Sequence, residues 1–180
     1  MESSLVIGNS VEIIDWDAIY TSEVSHVYNY FMYKVGDQNA AQDLTAATFE
    51  RAWKVRSKYK PLAATPSAWV FGIAKNVLRE HYRGQKRKDF LFTDEINSDA
   101  KAEDEEVEKK FQSREESQRL RLVLNALPNR EKDLIALKYG AELTNREIAR
   151  ITGISEGNVG NILFRTIKKI RNQMEESHGG

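Results

Sequence analysis

Residues 144–165, "TNREIARITGISEGNVGNILFR", decide the fold. Ala149, Gly153 and Val159 fall at relative positions 1, 5 and 11, with Ile148, Ile154 and Ile162 between and beyond them. A small residue lets two helices approach, a glycine supplies the positive φ of a tight turn, and an aliphatic buries the second helix. Thr144 followed three residues later by Glu147 is the pattern of a capping box, and Ser155 is placed to cap the second helix. Together these predict a helix-turn-helix. A helical hairpin that binds only protein fits the same spacing, but the basic tail Arg165, Lys168, Lys169 and Arg171 favours phosphate. Asn158, Asn161 and Arg165 are candidates for base edges, since asparagine pairs bidentately with adenine and arginine with guanine. Gly157 and Gly160 weaken the reading helix by up to about 1 kcal/mol each relative to alanine.

Outward from this stretch, a zero net charge conceals blocks of alternating sign. Residues 1–50 carry eight acids against one lysine, and 51–88 carry eleven cations against one acid. Residues 89–118 return to a net of −7, and 119–180 stand at +4. Such blocks imply separate surfaces for separate partners, the basic ones suited to phosphate. With no cysteine, disulfides, thiolate catalysis and cysteine zinc sites are excluded. His26, His81 and His178 lie too far apart in sequence to suggest a metal cluster. No apolar run approaches the roughly 20 residues of a membrane span, and no basic segment leads into an apolar one at the N-terminus. A cytoplasmic protein without a cofactor is expected.

Nearly all of the ordered chain reads as helix, with no strand pattern. "DWDAIYTSEVSHVYNYFMYKVG" begins at an Asp cap, Asp15 or Asp17, and ends at Gly36; the next helix follows at once, capped by Asp37. Pro61 and Pro66 bound an irregular segment, after which Thr65 and Pro66 resemble a cap and first helical residue. The helix they open runs into "QKRK". Residues 89–116 form an acidic linker with few apolar residues, and helices resume near Ser117. The fold class is therefore all-α, two small helical domains over residues 1–88 and 117–180, the second a helix-turn-helix.

Within the first domain, "DLTAATFERAWK" places Asp43, Ala47, Glu50 and Lys54 on one helical face and Leu44, Thr48, Ala52 and Val55 on an inward stripe. The helix after Pro66 pairs a buried stripe (Val70, Ile73, Ala74, Val77) with a polar one (Lys75, Asn76, Arg79, Arg83, Lys86). Cations interleaved with Trp69 and Tyr82 suit single-stranded nucleic acid, where bases stack and the backbone tracks charge. Trp69 fits a stacking platform and a core position equally well.

At this point the chain resembles a bacterial sigma factor of the extracytoplasmic-function group. The resemblance rests on "AAQDLTAATFERAWK", "WVFGIAKNVLREHYR" and "LPNREKDLIALKYGAELTNREIARITGISEGNV", in that order. It implies a sigma region-two-like domain, a linker and a region-four-like (winged-helix-like) domain. Asp43, Leu44, Glu50, Arg51 and Trp53 would dock on the β′ clamp of core RNA polymerase. Residues 57–65, among them Tyr59 and Lys60, would capture melted −10 DNA with Trp69 and Asn76, while Arg79 and Arg83 hold the duplex upstream. Ser155, Asn158, Asn161, Arg165, Lys168 and Lys169 would read the −35 element, and the same domain would touch the β flap. The acidic linker would lie in a polymerase channel or act as a solvated tether. Polymerase does the chemistry; an anti-sigma factor, often membrane-bound in this family, is an expected partner. Family members often carry a cation where Gly160 stands, so one phosphate contact fewer is expected here. A stand-alone helix-turn-helix regulator, binding its operator as a dimer, is the alternative.

Overall fold

The computed structural model describes residues 3–7, 10–91 and 109–176, with side chains over 14–87 and 115–175. The acidic run 94–108 and His178 lie outside the described residues. Strands β1 (Ser3–Ile7) and β2 (Ser10–Ile14) form an antiparallel pair in the register Ser3↔Ile14 to Ile7↔Ser10. Helices α1 (Trp16–Val35) and α2 (Gln38–Lys54) follow, then a 3₁₀ turn over Arg56–Lys58 and the long α3 (Pro66–Leu91). The second half comprises α4 (Lys109–Ala126), α5 (Asn129–Ile135), α6 (Asn145–Thr152) and α7 (Glu156–Glu176). Both domains are helical, as the sequence predicts. The hairpin at the start of the first domain corrects the expectation of no strand.

Local chemistry sets the helix ends. Asp15 Oδ1 accepts from the backbone N–H groups of Asp17 and Ala18, and Asp37 Oδ1 accepts from that of Ala40. These oxygens satisfy donors that the first helical turn leaves unpaired. Gly36 ends α1 at φ 70°, a left-handed conformation in which a Cβ would be strained. Thr65 Oγ1 accepts from Ala68 N–H at the start of α3.

Burial follows the helical stripes. Val27, Tyr30 and Phe31 of α1 meet Ala41 and Leu44 of α2 and Val70, Phe71, Ala74 and Val77 of α3. Thr48 is also fully buried, and its hydroxyl is satisfied by donating to the Leu44 carbonyl at 2.7 Å. Between α2 and α3, Arg51 forms a bidentate pair with Glu80, at 2.9 and 2.8 Å.

The core does not stop at the end of the first domain. Leu124, Leu134, Leu137, Ile148 and Val159 belong to the same contiguous cluster as Phe31 and Phe71. A π-helical turn over Ala136–Gly140 brings the second half against α1, and α6 packs on α3. The linker therefore joins two domains that share one buried seam. Among the described residues no helix is long and apolar enough to cross a membrane.

Candidate nucleic-acid and polymerase interface

Three surfaces carry the candidate residues. On α2, Asp43, Ala47, Glu50 and Lys54 are all exposed, as their spacing requires. Lys54 bonds the Glu50 carboxylate one turn away and holds its pKa below the usual range. Trp53 is exposed, with the Arg56 guanidinium 3.9 Å over its ring. Beside it lies a groove of about 180 Å³ lined by Trp16, Ile19, Tyr20, Phe49 and Val70. Leu44, expected on the docking surface, is buried instead, because it sits on the inward stripe with Ala41 and Thr48. Arg51 is partly exposed but already committed to Glu80.

The second surface is α3 and the loop before it. Asn76, Arg79 and Arg83 are exposed along one side, with the Asn76 side-chain oxygen accepting from Arg79 at 3.0 Å. Lys60 is exposed, but Tyr59 is not free to stack on a base. Its ring lies 5.1 Å from Trp69 and 5.8 Å from Trp16, and its hydroxyl donates to the Ala64 carbonyl. Burial against the foot of the hairpin makes Tyr59 the anchor of the loop. Trp69, half-buried in the same cluster, fits the core reading better than the platform reading. A residue the sequence reading did not single out is Leu62, at 84% exposure the most open large apolar side chain described. A leucine between prolines, in a loop flanked by cations, was the available signal.

The third surface is the helix-turn-helix. Thr144 and Glu147 form both arms of the capping box, Gly153 makes the turn at φ 74°, and Ile148 and Val159 are fully buried. Ser155, Asn158, Asn161, Arg165, Lys168 and Lys169 are all exposed. At roughly 100° per residue, Asn161 and Lys168 stand opposite the buried seam of Val159, Leu163 and Thr166. Asn158 and Arg165 lie to one side, lining a groove of about 410 Å³ with Pro128, Arg130 and Glu131. Lys169 approaches Glu131 at 3.7 Å, which ties part of its charge to α5. Gly160 is half-buried, and a Cβ there would meet the Asn145 side chain at 3.5 Å. Position 160 thus lies on the side of α7 next to Asn145 of α6. Phe164, 73% exposed on α7, was also passed over, its ring hidden in sequence among core-like aliphatics.

A helix with an exposed charged face, a basic helix behind an irregular loop and a helix-turn-helix, in this order, are the arrangement of a sigma-type transcription initiation factor. Residues 19–88 match the family described as Sigma-70 region 2, and residues 117–170 match Sigma-70, region 4. The chain belongs to the extracytoplasmic-function (ECF) group of the sigma-70 family. It is 27% identical over 155 residues to the ECF RNA polymerase sigma factor SigM of Bacillus subtilis, covering 86% of this chain and 92% of that one. It is 24% identical to BldN of Streptomyces coelicolor, covering 84% of this chain and 57% of that longer relative. In fold it is similar to the sigma factor RpoE solved with the anti-sigma factor NepR from Bartonella quintana. That likeness has a TM-score of 0.66 at 17% identity, over 89% of this chain and 97% of that one. A second likeness is to CnrH solved with the cytosolic domain of CnrY, at a TM-score of 0.59 and 19% identity, over 88% and 84% of the two chains.

Proposed function

We propose that this ECF sigma factor binds core RNA polymerase through the exposed face of α2, captures melted −10 DNA with the loop before α3, and reads the −35 element with α7. The observation that carries the reading is the pairing of an exposed Asn76, Arg79 and Arg83 side of α3 with the exposed polar face of a capped helix-turn-helix. Cations on α3 suit a phosphate backbone, and α7 presents amide and guanidinium groups suited to base edges. The region 2 match disfavours the operator-binding dimer, which has no use for a polymerase-docking domain. A cytoplasmic site of action and regulation by an anti-sigma factor belong to the same proposal. Transcription reconstituted with core polymerase and a promoter library tests it. Selected −10 and −35 sequences are the expected result, and a transcript profile identical to core enzyme alone refutes it.

Polymerase docking has its own test. Asp43→Lys with Glu50→Lys reverses two exposed carboxylates without touching the core. The double variant should keep its helicity and lose at least tenfold in affinity for core polymerase, because like charges now face a surface selected for acids. Unchanged affinity in the folded variant would remove α2 from the interface.

For −10 capture, Leu62→Ser with Lys60→Ala strips the loop of its exposed apolar tip and its cation, leaving the Tyr59 anchor in place. Promoter melting, followed by permanganate reactivity of unpaired thymines, should fall more than duplex binding does. An apolar tip interacts with an unstacked base and has little to grip in an intact duplex. Normal melting in this variant would assign capture to other residues.

A further inference from the structure

We propose that the first half of α1 is a rack that sets the shape of the loop before α3, with Trp16 and Glu23 as positioning residues for capture of the −10 base. None of the side chains from Lys60 to Thr65 is buried, so the loop has no core of its own to fix it. Its shape comes from its two ends, and α1 holds both. At the entry, Tyr59 is buried and stands edge-on to Trp16, with centroids 5.8 Å apart at 71°. Trp69 of α3 closes the triangle, 5.1 Å from Tyr59 and 5.5 Å from Trp16. At the exit, Glu23 accepts from the Ser67 hydroxyl at 2.6 Å. Trp16 and Glu23 lie two turns apart on one face of α1, so a single rigid helix sets both ends. Between them the loop closes on itself. The Tyr59 hydroxyl donates to the Ala64 carbonyl at 3.1 Å, and the Lys60 carbonyl accepts from the Ala63 and Ala64 N–H groups at 2.9 and 3.2 Å. Leu62 is left at the tip, open to solvent.

Glu23 is the feature that packing does not explain. It is 9% exposed, and burying a carboxyl group costs free energy that an aliphatic side chain would not. What the carboxyl adds is direction, through a short hydrogen bond to the second residue of α3. Thr65 Oγ1 already accepts from the Ala68 N–H at that helix start. The bond from Glu23 therefore leaves backbone satisfaction to Thr65 and fixes where the start of α3 sits on α1. Trp16 and Glu23 are both buried, so they act through the loop and not by touching DNA. A site that must be ordered as it binds loses that cost from its affinity. A loop ordered when the domain folds keeps the cost out of the melting step. The inference rests on the −10 capture reading above and adds to it the residues that make the loop competent.

The test uses the full chain, first alone and then with core polymerase on a duplex promoter. Glu23→Leu and Trp16→Leu should each speed amide hydrogen exchange at Ala63 and Ala64 by at least about tenfold, since exchange there follows local opening of the loop. Glu23→Gln, which keeps an oxygen acceptor for Ser67, should exchange like the wild type. With polymerase, the two leucine variants should lose at least about fivefold in permanganate reactivity of −10 thymines, which reports unstacked bases. Their affinities for core polymerase and for a −35 duplex should stay unchanged, and Glu23→Gln should melt the promoter normally. Glu23→Leu with Ser67→Ala should melt no worse than Glu23→Leu alone, because one hydrogen bond can be lost only once. Unchanged exchange in Glu23→Leu overturns the rack, and that variant decides alone if Trp16→Leu loses helicity. A parallel drop in polymerase binding, −35 binding and melting marks general damage to the domain and overturns the positioning role. Faster exchange with normal melting overturns that role too when Leu62→Ser with Lys60→Ala, in the same assay, abolishes melting. When the tip variant also melts normally, the capture reading itself falls, and the rack remains only as the exchange data define it.

Discussion

Phe71→Ala is expected to lower the unfolding free energy of the full chain by about 3–5 kcal/mol, the cost of deleting a buried ring and leaving its cavity. Phe71 is fully buried on α3 and meets Tyr30 edge-on, with centroids 5.7 Å apart at 86°. Tyr30 is the residue whose backbone touches Gly140, so the ring lies one contact behind the seam. Its loss should loosen both halves together, and urea unfolding should remain a single transition at a lower midpoint. Ile73→Ala, half-buried two residues along the same helix, is the control and should cost clearly less. A loss below about 1 kcal/mol at Phe71 would mean that the cavity collapses freely and that the shared core is loosely packed.

Phe71 also shows where sequence reading reaches its physical limit. Of the stripe taken from the helical period, Val70, Ala74 and Val77 are buried and Ile73 is only half-buried. Phe71 and Leu78, seven residues apart on an adjacent face, are buried as well, and the single-stripe reading passed over them. An isolated amphipathic helix has one partner, whereas α3 packs on three: α1, α2 and α6. Helix ends were legible because their chemistry is confined to a few neighbouring residues, as at Asp15, Asp37, Gly153 and the Thr144–Glu147 box. The hairpin also had a local signal, a Gly-Asn pair at 8–9 between short β-branched runs, but five-residue strands are easily lost beside helical periodicity. Leu44 and Tyr59 show the non-local limit. The first belongs to a motif read for docking and the second to a loop read for base capture, yet their burial depends on helix packing and on Trp16. Lys34, which pairs with Asp133, and Gly140, which lies against Tyr30, carry no mark at all in sequence, since each acquires its meaning from a residue about a hundred positions away.

Asn161 and Lys168 are expected to divide the −35 interaction between them. Both are exposed opposite the buried seam of α7, so both face whatever the helix reads. Asn161→Ala should lose preference at an adenine-containing base pair by about 1–3 kcal/mol, since an asparagine amide satisfies adenine bidentately. Its salt dependence should stay nearly unchanged, because no cation has been removed. Lys168→Ala should weaken binding across all sequences and reduce the slope of log affinity against log salt by about 0.9, the release of one condensed counterion. Lys169→Ala should do less, because Glu131 at 3.7 Å already holds part of that charge. Gly160→Ala should leave the slope alone and stabilise α7 by up to about 1 kcal/mol, since its methyl makes an ordinary contact with Asn145 and removes backbone freedom from the unfolded chain. Titrations over a salt series on a promoter panel measure all four variants at once. If Gly160→Ala moved the slope and Lys168→Ala did not, the face of α7 that meets DNA would be rotated toward α6, and the assignment of Asn161 to a base edge would fall with it.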